Sequence, residues 1–130
     1  MKQARNPDDV HPPLAAYTHQ IELSGAERLL ILSGQVGARP DGSVPSDPLD
    51  ELEVALDNIE RNLRAAGMET SDLVKLTLYL VGDIDATRRR EALARRLGGH
   101  KPCMTVLVVT ALATPDLKVE IEAWASRTEL

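Results

Sequence analysis

The last quarter of the chain combines a continuous apolar run with an alternating segment. The apolar run is Val106–Val109. From Val119 onward, polar and apolar residues alternate, so that Val119, Ile121, Ala123 and Ala125 share one face and Glu120, Glu122 and Trp124 share the other. The pattern predicts two strands, Met104–Val109 and Lys118–Ser126. One face of the second strand belongs to the core, and the other face is solvent-exposed or lines a cleft.

Three further strands are predicted upstream. Tyr17–Leu23 is the first, and Arg28–Ser33 contains the apolar run Leu29–Leu32, which is typical of a buried strand. In Leu73–Val81, apolar residues at even positions alternate with Lys75, Thr77 and Tyr79. This alternation predicts that one face of the third strand is buried.

The clearest helix is predicted at Pro48–Ala66. Asp47 is a good N-cap, Pro48 suits the first helical position, and Gly67 is a typical C-terminal stop. Its apolar stripe consists of Leu49, Leu52, Leu56, Ile59 and Leu63. A second, arginine-rich helix is predicted at Asp85–Leu97, ended by Gly98-Gly99.

The predicted order is β-β-α-β-α-β-β, which favours an α+β two-layer domain with two helices on one face of a sheet. Residues 1–13 are polar and contain proline, so we predict a flexible arm at 1–13 and one domain at 14–130. The other sheet face is left uncovered. An exposed apolar sheet face usually indicates a partner subunit.

Composition and charge reduce the number of function classes that the sequence supports. The net charge of −5 gives nucleic-acid binding no general electrostatic support. A single cysteine, Cys103, suits a reducing cytoplasm, and no apolar run is long enough for a signal core or a membrane span. His11, His100 and Cys103 lack metal-ligand spacing, so neither a metal nor a cofactor is expected.

Each candidate site residue has a structural and a functional interpretation. Glu120 and Glu122 either form a solvated or ion-paired face, or Glu120 positions a water in a cleft. Ser33-Gly34-Gln35 is either a plain turn or a backbone donor site for an anion or carbonyl. Tyr17 is either a packed tyrosine or lines a ligand site, and His19 shares its face.

The arginine-rich segments have two interpretations of the same kind. Arg88–Arg90 and Arg95-Arg96 predict a basic helix face that is solvated and pairs with Asp83, Asp85 and Glu91. The alternative is RNA binding, but stacking aromatics are scarce and the net charge is negative.

Several of these pieces together resemble the RidA (YjgF/YER057c/UK114) family over about residues 14–127. They are Ser33-Gly34-Gln35 after a strand, a helix ending in Ala65-Ala66-Gly67, Val74–Thr77 in the third strand, and Val119–Ala123. The resemblance implies a chorismate-mutase-like domain in a barrel-like homotrimer, with small-molecule clefts between subunits. It also implies hydrolysis of enamines and imines, such as 2-iminobutanoate, to 2-oxo acids and ammonia.

The resemblance places four residues on cleft positions of the family: Tyr17, Ser33, Gly34 and Glu120. It also places Met104 where active members carry the arginine that holds the substrate carboxylate, two residues after Pro102. Deaminase activity of the usual kind is therefore in question. The alternative is a non-catalytic trimer that binds a small ligand or has a regulatory role.

Overall fold

The computed structural model describes residues 1–129, which form a mixed sheet, two α-helices on one side of it and a separate hairpin. In chain order the elements are β1 (Lys2–Arg5), β2 (Gln20–Leu23), β3 (Glu27–Ile31), β4 (Gln35–Val36), α1 (Pro48–Ala65), β5 (Leu73–Val81), α2 (Ala86–Leu97), β6 (Cys103–Val109) and β7 (Val119–Thr128). The predicted α+β class with two helices over a mixed sheet is confirmed.

The main sheet is organised around β7, although this strand comes last in the chain. The strand order is β3-β7-β5-β6, and the short β4 also pairs with β7. The β5–β6 pair is parallel and the pairs made by β7 are antiparallel. β7 is therefore hydrogen-bonded on both sides, whereas β6 is the outer strand of the order.

The apolar stripe of α1 packs on the sheet as predicted. The Asp47 carboxylate accepts a hydrogen bond from the Leu49 amide at 2.9 Å and caps the helix. Leu52, Leu56, Ile59 and Leu63 are each at most 3% exposed, and Leu49 is partly buried. The predicted helix face is therefore the core face.

The two faces of β5 also follow the predicted alternation. Leu76 and Leu78 are fully buried beneath the helices, together with Ile121 of β7. Lys75, Thr77 and Tyr79 are only half-buried, on the open face of the sheet. Alternation along each strand thus separates an apolar core from a polar face that carries Glu120 and Glu122.

Ion pairs join α2 to α1, and they differ from the predicted ones. Arg96 lies 2.7 Å from Asp57 and 3.2 Å from both Glu53 and Glu60, while Arg95 pairs with Glu53 at 2.9 Å. The predicted partners of Arg95-Arg96 were Asp83, Asp85 and Glu91, so that prediction was wrong. The helices lie side by side, which brings the α1 carboxylates closer; Asp85 instead caps α2 through the Arg88 amide.

Part of the N-terminal arm is a strand, which the sequence did not predict. β1 pairs antiparallel with β2, in a register that places Lys2 opposite Leu23. The division at residue 13 and the flexibility of residues 1–13 stay predictions, and residue 130 lies outside the described residues. Within residues 1–129, neither helix is long and apolar enough to cross a membrane.

Candidate functional site

Two predicted site residues, Gly34 and Glu120, lie against each other. Gly34 lies between β3 and β4, and Val36 of β4 pairs with Glu120 of β7. A Cβ atom built at residue 34 would lie 2.7 Å from the Glu120 carboxyl carbon, so a side chain there would require the Glu120 side chain to move. Glycine at this position lets a half-buried carboxylate lie directly against the backbone.

Glu122 has a partner that the sequence did not reveal. It accepts a hydrogen bond from the Tyr79 hydroxyl across the β5–β7 pair. This bond to Glu122, followed by burial and the nearby carboxylates, raises the pKa of Tyr79 above its usual value. The outward position of Tyr79 was predictable, but its pairing required the β5–β7 register. Glu122 is thus committed to Tyr79, whereas no hydrogen bond or ion pair occupies the Glu120 side chain within residues 1–129.

Apolar side chains border this polar area on the β3 side. Ile31 and Trp124 are cross-strand neighbours in the β3–β7 pair and are 58% and 42% exposed. Leu29, two residues before Ile31, is 50% exposed, so the prediction that the Leu29–Leu32 run forms a buried strand was wrong for this face of the single chain, because the helices cover only the other face of the sheet. The open face therefore combines two central carboxylates with an exposed apolar border.

A cavity of about 850 Å³ lies on the other side of β6, between α2 and the loop that precedes β2. Tyr17 comes from that loop, Met104 from β6, and Leu93 and Leu97 from α2. The loop is fixed to the sheet because the Thr18 hydroxyl donates to the Lys101 carbonyl at 2.6 Å. The volume of the cavity suits a small molecule.

Aromatic rings form one wall of the cavity. Tyr17 and His19 meet edge to face with centroids 5.5 Å apart, and His19 meets His11 in the same way at 5.0 Å. The Tyr17 hydroxyl accepts a hydrogen bond from the Leu14 amide at 3.1 Å, so its own proton is available to another acceptor. Both His11 and His19 line the cavity.

The five predicted site residues fall into two groups. Met104 pairs with Leu76, which is fully buried beneath the helices, and so Met104 faces the helix side with Tyr17. Ser33 and Gly34 adjoin Glu120 on the open face. In a single chain the sheet separates the two groups. The sequence could not show this, because the pairing of β6 with β5 sets the side to which Met104 points.

Two arginines of α2 belong to the cavity lining and were not predicted as site residues. Arg89 and Arg90 line it beside Leu93. Burial, and then the charge of Arg90, lower the pKa of Arg89 from its usual value. Spacing along the helix places residues 89, 93 and 97 on one face, so helical periodicity could have found Arg89.

Cys103 lies on the open face beside Lys75, its register partner. Burial raises the pKa of the Cys103 thiol, and the nearby Lys75 ammonium only partly opposes this. The thiol is therefore not activated. Among residues 1–129, no cluster of three or more histidine, cysteine or carboxylate side chains has the geometry to hold a metal ion.

Known proteins resemble the chain over nearly its whole length. The sequence model of the family described as Endoribonuclease L-PSP matches residues 9–127. A RutC family protein of Pyrococcus horikoshii is 31% identical over 127 residues, covering 96% of this chain and 98% of its own. The 2-iminobutanoate/2-iminopropanoate deaminase of Escherichia coli is 30% identical over 120 residues, covering 88% and 89% respectively.

Solved structures agree with these sequence relatives. A Rid family protein of unknown function from Yersinia pestis, YyfB, superposes with a TM-score of 0.83 at 30% identity, covering 95% of this chain and 97% of its own. TdcF of Escherichia coli, solved with bound serine, superposes with a TM-score of 0.72 at 28% identity, covering 95% and 94%. The chain therefore belongs to the RidA (YjgF/YER057c/UK114) family, whose sequence model is described as Endoribonuclease L-PSP.

Proposed function

We propose that the chain assembles into a homotrimer whose subunits share a cleft for small imines or enamines of the 2-iminobutanoate type. The observation that carries this proposal is the contact between Gly34 and Glu120, which leaves a carboxylate against the backbone with no partner of its own within residues 1–129. One relative is named as a deaminase of such compounds, and one structural neighbour binds serine.

The two groups of candidate residues support a cleft between subunits. In the proposed arrangement, one chain contributes Tyr17 and Met104, and a second copy contributes Ser33, Gly34 and Glu120. The exposed apolar border at Ile31 and Trp124 supports the assembly, because such surface is usually covered. We propose the cytoplasm as its location, in line with a lone cysteine.

The chemistry assigned to Glu120 is the positioning of a water and the acceptance of its proton. The water oxygen forms a bond to the imine carbon while the C=N π electron pair moves to the nitrogen, which takes the proton held by Glu120. The hydroxyl of this carbinolamine then gives up its proton, which Glu120 passes to the nitrogen; the C=O bond forms as the C–N bond breaks, and ammonia leaves. The product is a 2-oxo acid. The Ser33–Gly34 backbone and the Tyr17 hydroxyl would hold the substrate.

The test follows oxo-acid release from 2-iminobutanoate generated in situ by a dehydratase, above the spontaneous rate. Glu120→Gln is expected to abolish the acceleration, because an amide cannot accept the proton. Glu122→Gln is the matched control on the same strand face, and is expected to retain most of it. Equal loss in both variants would contradict the role of Glu120.

A second candidate function is a non-catalytic trimer that binds a small ligand or has a regulatory role. Met104 favours it, because a thioether in the cavity cannot pair with a substrate carboxylate. If the unaltered protein fails to accelerate hydrolysis, a thermal-shift screen of small metabolites should still find a ligand that raises the melting temperature.

A further inference from the structure

The cavity beside α2 contains positive charge that the proposed function does not use. Its charged lining consists of Arg89, Arg90 and Lys101 against a single carboxylate, Glu91. None of the ion pairs found within residues 1–129 includes Arg89, Arg90 or Lys101. The cavity is therefore electropositive and open to an anion.

Arg89 stands out among these groups. Its residue is half-buried, and its Nε atom is buried without a hydrogen-bond partner in the described chain. An unsatisfied donor of this kind is costly, and a guanidinium satisfies it best by pairing with a planar anion through two parallel hydrogen bonds. Arg96, about two helical turns further along α2, already satisfies its guanidinium with α1 carboxylates.

The rest of the lining selects the kind of anion. Much of the lining is apolar, and it consists of Leu14, Leu93, Leu97, Met104 and Val106. The Tyr17 hydroxyl has a proton to donate. Arg89 can hold one carboxylate through paired hydrogen bonds, and the ligand atoms beyond that group would lie against this apolar surface. A monocarboxylate with a short hydrocarbon tail matches both parts of the cavity.

We infer that the cavity binds a small monocarboxylate, with its carboxylate on the Arg89 guanidinium and its tail against Leu93, Leu97 and Met104. The inference rests on the proposed function in one respect, namely that this cavity takes small molecules. The anion site would then come from α2, which directly precedes β6 in the chain, and Met104 of β6 would line the same cavity. Neutralisation by the bound anion would also relieve the repulsion between Arg89 and Arg90.

The binding test uses 4-methyl-2-oxopentanoate, a stable 2-oxo acid, titrated calorimetrically into the unaltered trimer or monomer at fixed ionic strength. Arg89→Met is expected to weaken binding at least tenfold, because it removes the paired hydrogen bonds. Arg88→Met is the matched control: Arg88 is exposed, lies outside the cavity, and carries the same charge. It should change the dissociation constant less than about twofold, as expected for a surface substitution.

A neutral probe of the same tail, 4-methyl-2-pentanone, separates charge from apolar packing. It should bind weakly and equally to the unaltered protein and to Arg89→Met. Equal weakening of the acid by Arg88→Met and Arg89→Met would overturn the inference, since the effect would then come from net charge. No measurable binding of the acid to the unaltered protein would overturn it as well.

A second measurement, nuclear magnetic resonance of the methionine methyl groups, uses the unaltered protein. Its outcome therefore does not depend on whether a variant folds. The chain has three methionines: Met1 at the N-terminus, Met68 in the core after α1, and Met104 in the cavity. With methyl-labelled methionine, the acid should shift the Met104 resonance and leave that of Met68 in place. A shift at Met68 without one at Met104 would refute the assignment of the cavity.

These measurements and the hydrolysis assay fail independently, because the probe is an oxo acid and is not turned over. A protein that binds the probe through Arg89 but does not accelerate imine hydrolysis would refute the proposed hydrolysis and support the anion site. If the unaltered protein hydrolyses the imine, and Arg89→Met binds the probe as tightly as the unaltered protein does, the anion site is refuted and the proposed hydrolysis is supported.

Discussion

The Glu120 side chain occupies the space that a side chain at residue 34 would need. A Cβ atom there would lie 2.7 Å from the Glu120 carboxyl carbon and 2.9 Å from its Cγ. Gly34→Ala should therefore push the carboxylate away from the backbone. Because a flexible glutamate can move, we expect less than about 1 kcal/mol of lost stability in denaturant melts, but a clear loss of imine hydrolysis.

Gly37→Ala provides the contrast to Gly34→Ala. Its Cβ would lie 2.7 Å from the Cα and carbonyl oxygen of Glu51, which belong to the backbone of α1 and cannot swing aside. We expect about 1–3 kcal/mol of destabilisation, as for other overpacked sites. Equal stability losses at Gly34 and Gly37 would show that Glu120 is held as rigidly as the helix.

Leu56→Ala tests the core face of α1. Leu56 is 3% exposed within the main apolar cluster, so its truncation leaves a cavity. The expected cost is about 2–5 kcal/mol of unfolding free energy. Arg61→Ala, on the exposed side of the same helix, should change it by less than about 0.5 kcal/mol. A loss below about 1 kcal/mol for Leu56→Ala would be inconsistent with the packing described.

The exposed apolar border of the sheet predicts the oligomeric state. Light scattering in dilute buffer should give about three times the chain mass of 14.2 kDa. Ile31→Asp places a charge on a surface that the assembly would cover, and should lower that mass while preserving the circular dichroism. Val10→Asp, on an exposed apolar residue of the N-terminal segment, is the control. A stable unaltered monomer at micromolar concentration would exclude the shared cleft.

Met104→Arg tests the origin of weak deaminase activity. Methionine cannot pair with a carboxylate, whereas arginine offers two charge-assisted bonds of about 1.5–3 kcal/mol each. We expect the unaltered protein to hydrolyse 2-iminobutanoate roughly a hundredfold or more below an arginine-bearing relative, at about 1.4 kcal/mol per factor of ten. Met104→Arg should raise this rate.

Met104→Leu is the control for the size of the side chain and should leave the rate unchanged. High activity in the unaltered protein would contradict this interpretation of Met104. If Met104→Arg brings no gain in rate, the remaining cleft residues are not arranged for hydrolysis.

Glu27 predicts an acid-sensitive component of stability. The Thr128 hydroxyl, followed by the Ser126 hydroxyl and the terminal ammonium, lowers its pKa from 4.5 to about 2, against the opposing effect of burial. A depressed folded-state pKa stabilises the fold above pH 4.5, and this contribution disappears as the pH falls toward 2. Denaturant melts between pH 5 and 2 should show a smaller loss for Glu27→Gln than for the unaltered protein.

The sequence carried enough information for the main elements but not for their pairing. Alternation in β5 and β7 and the stripe of α1 are local patterns, and the structure confirms all three. β1 and β4 were missed because four and two residues are too short to show a period. The ion pairs of Arg96 were missed because they join helices about forty residues apart.

The candidate site was predictable only in part for the same reason. The position of Gly34 after an apolar strand predicted a backbone that a ligand can approach closely, and this role stays a prediction. The contact of Gly34 with the Glu120 side chain was not predicted, because it depends on the β4–β7 pairing. The split between Met104 and Glu120 depends on the strand order, which alternation alone does not encode. Arg89 was predicted as part of a solvated basic face, because an arginine run on a helix usually is one; the burial of its Nε atom appears only in the fold.

The interior position of β7 has a consequence for synthesis on the ribosome. Among residues 1–129, β3 and β4 pair in the main sheet with β7 alone, a strand that begins between eighty and ninety residues after them, at Val119. During elongation, β3 therefore waits unpaired with its apolar residues exposed, while α1, β5, α2 and β6 can already form a parallel unit. Closure of the sheet is a step of high contact order that must wait for β7, and chaperone dependence should be greatest for nascent chains that end just before β7.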